Sequence, residues 1–218
     1  MFKADLHIHT QYSMDCDIHL DRLIERCLQL EINCVAIADH GTTEGALAFR
    51  QKAPFMVIIA EEILTPDGEI MGMFLDETIP SGISALEAIN HIKEQNGLVC
   101  IPHPLDRLRP SAIKIDVLEK IADRVDIVEV FNARTIIFKN KAKIKAFAAI
   151  HDIKQSAGSD AHTLAEVGNA YLEMPEFSDR EGFMEALAQA KIYGKSTNPL
   201  AHFSSLKNRI KRGMVKHV

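Results

Sequence analysis

Several patterns that would assign this chain to a familiar class are missing from its sequence. No two cysteines form a Cys-x-x-Cys pair, which argues against a zinc site built from cysteine thiolates. No apolar run is long enough to cross a membrane, and the first residues do not have the form of a signal peptide. No Gly-x-Gly-x-x-Gly turn follows the first predicted strand, so a dinucleotide-binding fold lacks its fingerprint. We therefore expect a cytoplasmic protein with four reduced thiols.

Acidic residues are also missing from the end of the chain. No Asp or Glu follows Glu185, whereas the same stretch contains seven Lys or Arg, and the rest of the chain is strongly acidic. A basic end on an acidic body can attract a polyanion, although a solvated terminal helix is the simpler interpretation. We divide the 218 residues into one domain over 1–200 and a basic tail over 201–218.

Short apolar segments alternate with amphipathic stretches along the chain. The predicted strands are 4–9, 34–38, 55–60, 98–101, 126–131, 153–157 and 170–174. The predicted helices are 21–31, 43–53, 84–96, 115–122, 136–150 and 180–190. Residues 63–75, interrupted by Pro66-Asp67-Gly68, predict a hairpin. About seven strand–helix units in one domain favour an α/β barrel of parallel strands over an open sheet.

Histidines and acidic residues cluster where the predicted strands end. These residues are His7, His9, Asp39, His40, Glu61, Glu62, His103, Asn132, Asp160 and His162. In a parallel barrel the carboxyl ends of the strands meet on one face, so these side chains are expected to converge. Buried imidazoles and carboxylates are costly unless they bind a cation, and together they suit zinc, manganese or iron. A shared carboxylate such as Glu62 could bridge two ions about 3.5–4 Å apart, as in two-metal phosphoester hydrolysis.

Four stretches of the chain resemble the motifs of the PHP (polymerase and histidinol phosphatase) family of phosphoesterases. They are residues 5–10 with 12–15, residues 36–41, residues 101–104, and residues 158–162 with 166–168. The resemblance spans residues 2 to about 174 and is specific as a set, although each motif alone is common. It implies a distorted seven-stranded β/α barrel that binds two or three divalent ions, which in this family are manganese, zinc or iron.

The resemblance also implies a set of metal ligands. One ion would be held by His7, His9, Glu62 and Asp160. Another would be held by Asp15, His40 and His162, with Glu62 bridging the two ions.

The third ion position has an incomplete ligand set in this sequence. His103 would belong to it, but many family members supply a second histidine just after the strand that here spans 71–75. This chain has Leu75 and Asp76 there, so His103 is expected either to bind an ion or to act in catalysis at the substrate phosphate.

Candidate substrate contacts follow the predicted strands 126–131 and 98–101. Residues 128–134 resemble compact family members that act on small phosphate esters, and Arg134 is the first candidate for the phosphate contact because a guanidinium binds phosphate oxygens bidentately. Asn132 and Arg107 are further candidates, as is Arg109. The predicted function is hydrolysis of phosphate monoesters or diesters, with a small phosphorylated substrate such as a nucleotide, a sugar-type phosphate or a short oligonucleotide. A nuclease, a histidinol-phosphate phosphatase and a non-catalytic metal-binding domain are the alternatives.

Overall fold

A computed structural model of the chain describes residues 1–135 and 140–198. The strands in these ranges are β1 Phe2–Ile8, β2 Cys34–His40, β3 Met56–Thr65, β4 Gly68–Met73, β5 Leu98–Ile101, β6 Ile127–Asn132, β7 Lys154–Gly158, β8 Ala170–Met174 and β9 Lys191–Gly194. The helices are α1 Leu20–Gln29, α2 Glu44–Lys52, α3 Ala85–Glu94, α4 Ile115–Ile121, α5 Lys141–Ile150 and α6 Arg180–Ala188, and a short 3-10 helix spans Ala122–Arg124. The predicted tail over 201–218 and the start of the helix predicted over 136–150 lie outside the described residues.

The strands form one sheet in the order β7-β6-β5-β4-β3-β2-β1-β8-β9. Strands β1 to β3 run parallel, and so do β5 to β7, while β4 lies antiparallel to both of its neighbours. The sheet curls until Ile8 at the end of β1 meets Ala161 just beyond β7. This nearly closed barrel with outer helices confirms the predicted α/β barrel and the hairpin over 63–75.

The number of strands differs from the seven expected. Strands β8 and β9 extend the sheet beyond β1 in antiparallel fashion, with β8 pairing to the first three residues of β1. The sequence did not predict β9, because its four residues are short, mostly exposed and directly follow α6. Its place depends on a tertiary contact, since Gly194 packs against the ring of Phe131 on β6.

Side chains of the central strands alternate between the barrel interior and the helices. On β2, Cys34, Ala36 and Ala38 belong to the inner apolar cluster, whereas Val35 and Ile37 belong to the outer one. Small residues suit the inner face because the space inside a narrow barrel is limited. The inner cluster also includes the α6 residues Phe183, Ala186 and Leu187, which lie near the start of β1 and therefore away from the histidines.

The four cysteines are all buried and form no disulfide with one another, as expected for reduced core thiols: Cys16, Cys27, Cys34 and Cys100. No helix in the described ranges has the length and apolar character needed to span a membrane.

Alternation along β3 decides which of two adjacent glutamates faces the site. Glu62 follows Ile58 and Ala60 on the inner face, so Glu61 points the other way, toward the loop after β4. There one Glu61 carboxylate oxygen accepts a hydrogen bond from the backbone N–H of Ile79 at 2.9 Å, and the other has no partner. Burial raises the pKa of Glu61 from 4.5 to about 7, with the Ile79 N–H opposing the shift.

This buried carboxyl predicts a pH-dependent loss of stability. Between pH 4.5 and 7 the folded chain retains a proton on Glu61 that the unfolded chain has released. The contribution of the Glu61 carboxyl group to the free energy of unfolding therefore falls as pH rises through that window. A shift of this size corresponds to a difference on the order of 3 kcal/mol. Glu61→Gln should therefore gain stability relative to the wild type as pH rises from 5 to 8, measured by urea unfolding in the presence of chelator. Parallel pH profiles for the two proteins would contradict this assignment.

Candidate metal centre

Four side chains from three regions of the chain converge at the carboxyl ends of the strands. The Nε2 atoms of His7 and His9 lie 3.1 Å apart, and Oε2 of Glu62 lies 3.6 Å from the first and 3.4 Å from the second. Oδ1 of Asp160 lies 3.8 Å from His7 Nε2 and 3.4 Å from His9 Nε2. All four side chains are buried. This is the group that the sequence assigned to one ion.

A second group lies beside the first and shares Glu62 with it. The Asp15 carboxylate lies 3.2 Å from His162 Nε2 and 3.7 Å from His40 Nε2. The other ring nitrogen of His40 lies 3.2 Å from Glu62 Oε2. The His9 ring packs between those of His40 and His162, at centroid distances of 4.6 and 4.2 Å. Glu62 therefore lies between the two groups, and its role as a bridging ligand stays a prediction.

The electrostatics of these groups reflect burial in competition with neighbouring charges. Burial disfavours the charged form of His7, but Asp160, Glu129 and Glu62 outweigh it and raise the pKa of His7 well above its usual range. Burial and the neighbouring imidazoles of His162 and His40 lower the pKa of His9. One of the two adjacent imidazoles thus carries the proton that a cation would displace.

The carboxylates of this centre remain charged although they are fully buried. Burial opposes ionisation of Glu62 and Asp160, but the pKa of Glu62 is held well below its usual range by His7 and His40. Arg109 and then His7 do the same for Asp160. The site therefore presents anionic oxygens and imidazole nitrogens to one small volume, which is the donor set of a transition-metal centre.

Unsatisfied atoms provide an independent test of whether ions fit here. Glu62 Oε2, Asp160 Oδ1 and His103 Nδ1 are buried and lack a hydrogen-bond partner. The first of these is surrounded by three histidine nitrogens at 3.2–3.6 Å without accepting a hydrogen bond from any. Buried carboxylate oxygens without donors are costly, whereas an ion at about 2.1 Å from each would satisfy them. The residues present fit divalent metal ions.

Two partners that orient the histidines were not among the predicted site residues. Glu129 of β6 lies 3.2 Å from Nδ1 of His7 and accepts the backbone N–H of His103 at 2.7 Å. The Ser13 hydroxyl lies 3.0 Å from Nδ1 of His9. Each contact leaves the Nε2 atom of its histidine free to face the centre. Glu129 could have been found in the sequence, because it is a charged residue in the middle of an apolar strand.

Asp5 connects the first and fourth motifs through backbone contacts. Its carboxylate accepts hydrogen bonds from the N–H groups of Ser159 at 2.9 Å and Gly168 at 3.0 Å. Gly158, which precedes Ser159, permits the close approach of the two motifs, because a Cβ at this position would lie 2.2 Å from the Cβ of His7. Asp160, the predicted ligand that follows, has a φ of 54°, a left-handed conformation that aspartate adopts more readily than most residues.

The predicted substrate residues occupy different environments. Arg134 is buried, and its Nε lies 3.3 Å from the Glu166 carboxylate. Asn132 donates to Glu129 and, at 3.3 Å, to Asp160. Arg107 is exposed on the loop after β5. Arg109, the remaining candidate, reaches Asp160 Oδ2 with its guanidinium at 2.5 Å. The roles of all four residues toward substrate remain predictions.

The architecture and the site together define a class: an α/β barrel with a buried histidine–carboxylate centre at the ends of its strands. Comparison with known sequences agrees, because residues 5–60 match the PHP domain and residues 139–192 match the PHP-associated C-terminal region. The chain is also 37% identical over 180 residues to the uncharacterized protein MJ0417 of Methanocaldococcus jannaschii, covering 81% of this chain and 72% of that protein. The chain belongs to the PHP family.

Solved structures of similar fold carry related descriptions. A two-domain protein from Bacteroides vulgatus, which contains a predicted PHP-like metal-dependent phosphoesterase, superposes with a TM-score of 0.73 at 16% identity, covering 95% of this chain and 69% of that one. A candidate metal-dependent phosphoesterase from Bifidobacterium adolescentis gives a TM-score of 0.68 at 17% identity, covering 90% and 97%. At such identities the likeness establishes the fold.

The register of β3 generates a paired test of the centre. Glu62→Gln removes the charge that all the surrounding histidines face, so it should lose most of its bound metal while remaining folded. Glu61→Gln, the matched control one residue away, should retain its metal. Elemental analysis and circular dichroism of both proteins, purified without chelator, measure these outcomes. Equal metal loss at the two positions would show that the centre has been assigned to the wrong face of the strand.

Proposed function

We propose that this chain is a phosphoesterase that uses two or three divalent metal ions, either manganese, zinc or iron, to hydrolyse small phosphorylated compounds. The observation that carries the proposal is the buried convergence of His7, His9, Glu62 and Asp160, with the His40–Asp15–His162 group beside it. Family membership supports the same class of reaction. Four buried free thiols fit a reducing compartment, so we propose the cytoplasm as its location.

Each part of the centre has a role in the proposed reaction. When bound, divalent ions supply Lewis acidity toward the phosphoryl group and lower the pKa of water. His7 and His9 are held by Glu129 and Ser13 with their Nε2 atoms toward the centre. His103 was expected to be either a ligand or a catalytic group, and its Nε2, 2.7 Å from Glu62 Oε1, favours the role of ligand.

Arg109 is the better placed of the candidate phosphate contacts. Its guanidinium already touches an anionic oxygen of the centre, and three-quarters or more of its side chain is shielded from solvent. A phosphoryl oxygen bound there would replace the Asp160 contact with an equivalent charge-assisted one once the Asp160 carboxylate holds an ion. Arg134 remains the second candidate, although its pairing with Glu166 gives it a structural role in the fourth motif as well.

A cavity of about 420 Å³ lies beside Arg109 and supports a small substrate. Its lining combines apolar residues such as Leu105, Ala112 and Ile113 with one carboxylate, Asp106, and a larger set of basic side chains, the basic rim. The basic lining residues are Arg107, Arg109, Lys114 and Lys143. A volume in the range of ordinary ligand pockets, with a partly apolar lining, suits the leaving group of a mononucleotide or a similar ester. The cations would attract a further anionic group on it.

The alternative functions within the family differ in the size and charge of the substrate. A nuclease would need a long cationic surface, for which the basic residues of 201–218 are the support in the sequence. A histidinol-phosphate phosphatase would place a cationic imidazole or amine in the cavity, where the basic rim opposes it.

A substrate panel tests the proposed function. With Mn²⁺ present, we expect hydrolysis of mononucleotides or similar small esters, with only shallow dependence on salt. Short oligonucleotides and histidinol phosphate should be poorer substrates. Release of inorganic phosphate across a salt series provides the measurement. If oligonucleotides are cleaved faster, and that rate collapses between low and physiological salt, the nuclease interpretation replaces ours. No hydrolysis of any phosphate ester by the metal-loaded chain would refute the proposed function.

Substitution of the two arginines separates contact with substrate from support of the fold. Arg109→Ala should lower kcat/KM by about tenfold or more, because a lost charge-assisted contact is worth on the order of 1.5–3 kcal/mol. Arg134→Ala is expected to lower activity by a similar factor if it binds phosphate. That substitution also leaves Glu166 buried without its partner, so a fall in melting temperature with KM unchanged would assign Arg134 to the fold instead.

The control for both variants is Arg22→Ala. Arg22 is exposed on α1 and pairs only with Glu25 of the same helix, so activity and stability should change little. Unchanged kcat/KM in Arg109→Ala would remove Arg109 from the proposed site.

A further inference from the structure

Glu69 is a buried carboxylate of the centre that the sequence motifs do not include. It is the second residue of β4, and β4 runs antiparallel to β3 and β5. An antiparallel strand brings its beginning, not its end, to the face where parallel strands finish. Leu75, after the end of β4, accordingly lies beside Ile59 within the body of the barrel. Glu69 pairs with Leu64 beyond Glu62, at the mouth.

The two oxygens of Glu69 face two different histidines of the centre. Oε2 lies 3.5 Å from Nε2 of His103, and Oε1 lies 4.0 Å from Nδ1 of His40. Glu62 contacts the same two nitrogens, at 2.7 Å and 3.2 Å. One ligand atom each from His40, Glu62 and Glu69 lie within 4.8 Å of one another. Donors bound to one ion at about 2.1 Å are separated by no more than about 4.2 Å, so small side-chain adjustments bring this set into range.

The orientation of Glu69 is fixed from its other side. The Ser111 hydroxyl donates to Glu69 Oε2 at 2.7 Å, and the N–H of Glu69 donates to the carbonyl of Ser111 at 2.7 Å. These contacts direct the carboxylate toward the histidines rather than toward solvent. Close by, Glu62 Oε2 is fully buried and accepts no hydrogen bond, so a cation bound there would satisfy it.

We propose that Glu69 is a metal ligand, and that with Glu62 and His103 or His40 it completes a further divalent-cation position. The inference rests on the proposed function, because it adds a ligand to the same centre. It also accounts for the absence of a histidine at Leu75 and Asp76, since the ligand comes from the start of the reversed strand. A carboxylate oxygen is a harder ligand than an imidazole nitrogen, so its presence at this ion position favours Mn²⁺ relative to Zn²⁺.

Direct titration of the metal-free chain with Mn²⁺ tests the ligand by binding rather than by activity. Glu69→Gln keeps the size of the side chain and an acceptor for Ser111 but loses the charge. We expect it to bind about one Mn²⁺ fewer per chain than the wild type, or to bind the weakest ion at least tenfold less tightly. The ions held by His7, His9 and Asp160 should remain. Equal stoichiometry and affinity in Glu69→Gln and the wild type would overturn the inference.

Two matched variants separate ligation from structural effects. Glu77→Gln changes an exposed glutamate after the same strand and should bind Mn²⁺ like the wild type. Ser111→Ala removes the hydroxyl that orients Glu69 but leaves the carboxylate, so it should retain the ion count with weaker affinity at the same position. Loss of the ion in Glu77→Gln as well would also overturn the inference.

If Glu69→Gln fails to fold, the same Mn²⁺ titration is made on Glu69→Asp. This variant retains the charge on a shorter side chain, so it should bind the weakest Mn²⁺ ion less tightly than the wild type does. Wild-type affinity in Glu69→Asp would overturn the assignment of Glu69 as a ligand.

The proposed function and the proposed ligand also fail in different ways. A wild-type chain that binds Mn²⁺ but hydrolyses no phosphate ester refutes the activity alone, and normal binding by Glu69→Gln refutes the ligand alone.

Discussion

Concentration of negative charge in a desolvated space is the constraint on which the site depends. Five carboxylates line the mouth of the barrel with little or no exposure: Asp15, Glu62, Glu69, Glu129 and Asp160. Among the described residues in direct contact with them, Arg109 is the permanent cation that enters the centre, and it reaches only Asp160. Histidine protons compensate part of the remaining charge, as the raised pKa values of His7 and His40 show. Cations that replace those protons would complete the compensation.

Further buried carboxylates accept hydrogen bonds from the loops that carry the predicted ligands. Asp39 accepts the N–H and hydroxyl of Thr10 at 2.6 Å each, just as Asp5 accepts two N–H groups of the fourth motif. Behind each ligand-bearing loop there is thus a buried carboxylate that fixes the loop rather than facing the centre. The structure places charged residues in two layers, one that would bind ions and one that holds the first in position.

Reversal of β4 sets the asymmetry of the site. Six of the strands near the mouth deliver residues from their carboxyl ends, whereas β4 delivers its first residues because it returns from the hairpin with β3. The same reversal positions Ser111 against Glu69, and the loop that contains Ser111 also supplies Arg107, Arg109 and Lys114 of the cavity lining. The proposed ion position and the proposed substrate cavity are therefore adjacent to one loop.

The spacing of residues along single strands was readable from the sequence. His7 and His9 share a face because side chains alternate, and apolar segments of ordinary strand length located most of the barrel. The choice of Glu62 rather than Glu61 as the predicted bridging ligand followed from the family motif, and the alternation of β3 turns Glu62 toward the inner face. Elements of regular hydrophobic pattern, such as α1 and α3 with its Ser84–Glu87 capping box, were also predicted close to their observed bounds.

Tertiary structure decided everything that depends on strand direction and on distant partners. The sequence predicted a hairpin over 63–75 but not that its second strand pairs with β5 inside the barrel, so Glu69 could not be distinguished from a surface residue. Nor does it state that Arg134 pairs with Glu166 while Arg109 reaches the centre, because both are arginines that follow a strand. Short-range periodicity is set by the geometry of the backbone and is therefore visible in the sequence. The contact between Arg109 and Asp160, which are 51 residues apart in the chain, forms only when the barrel brings the loops after β5 and β7 together.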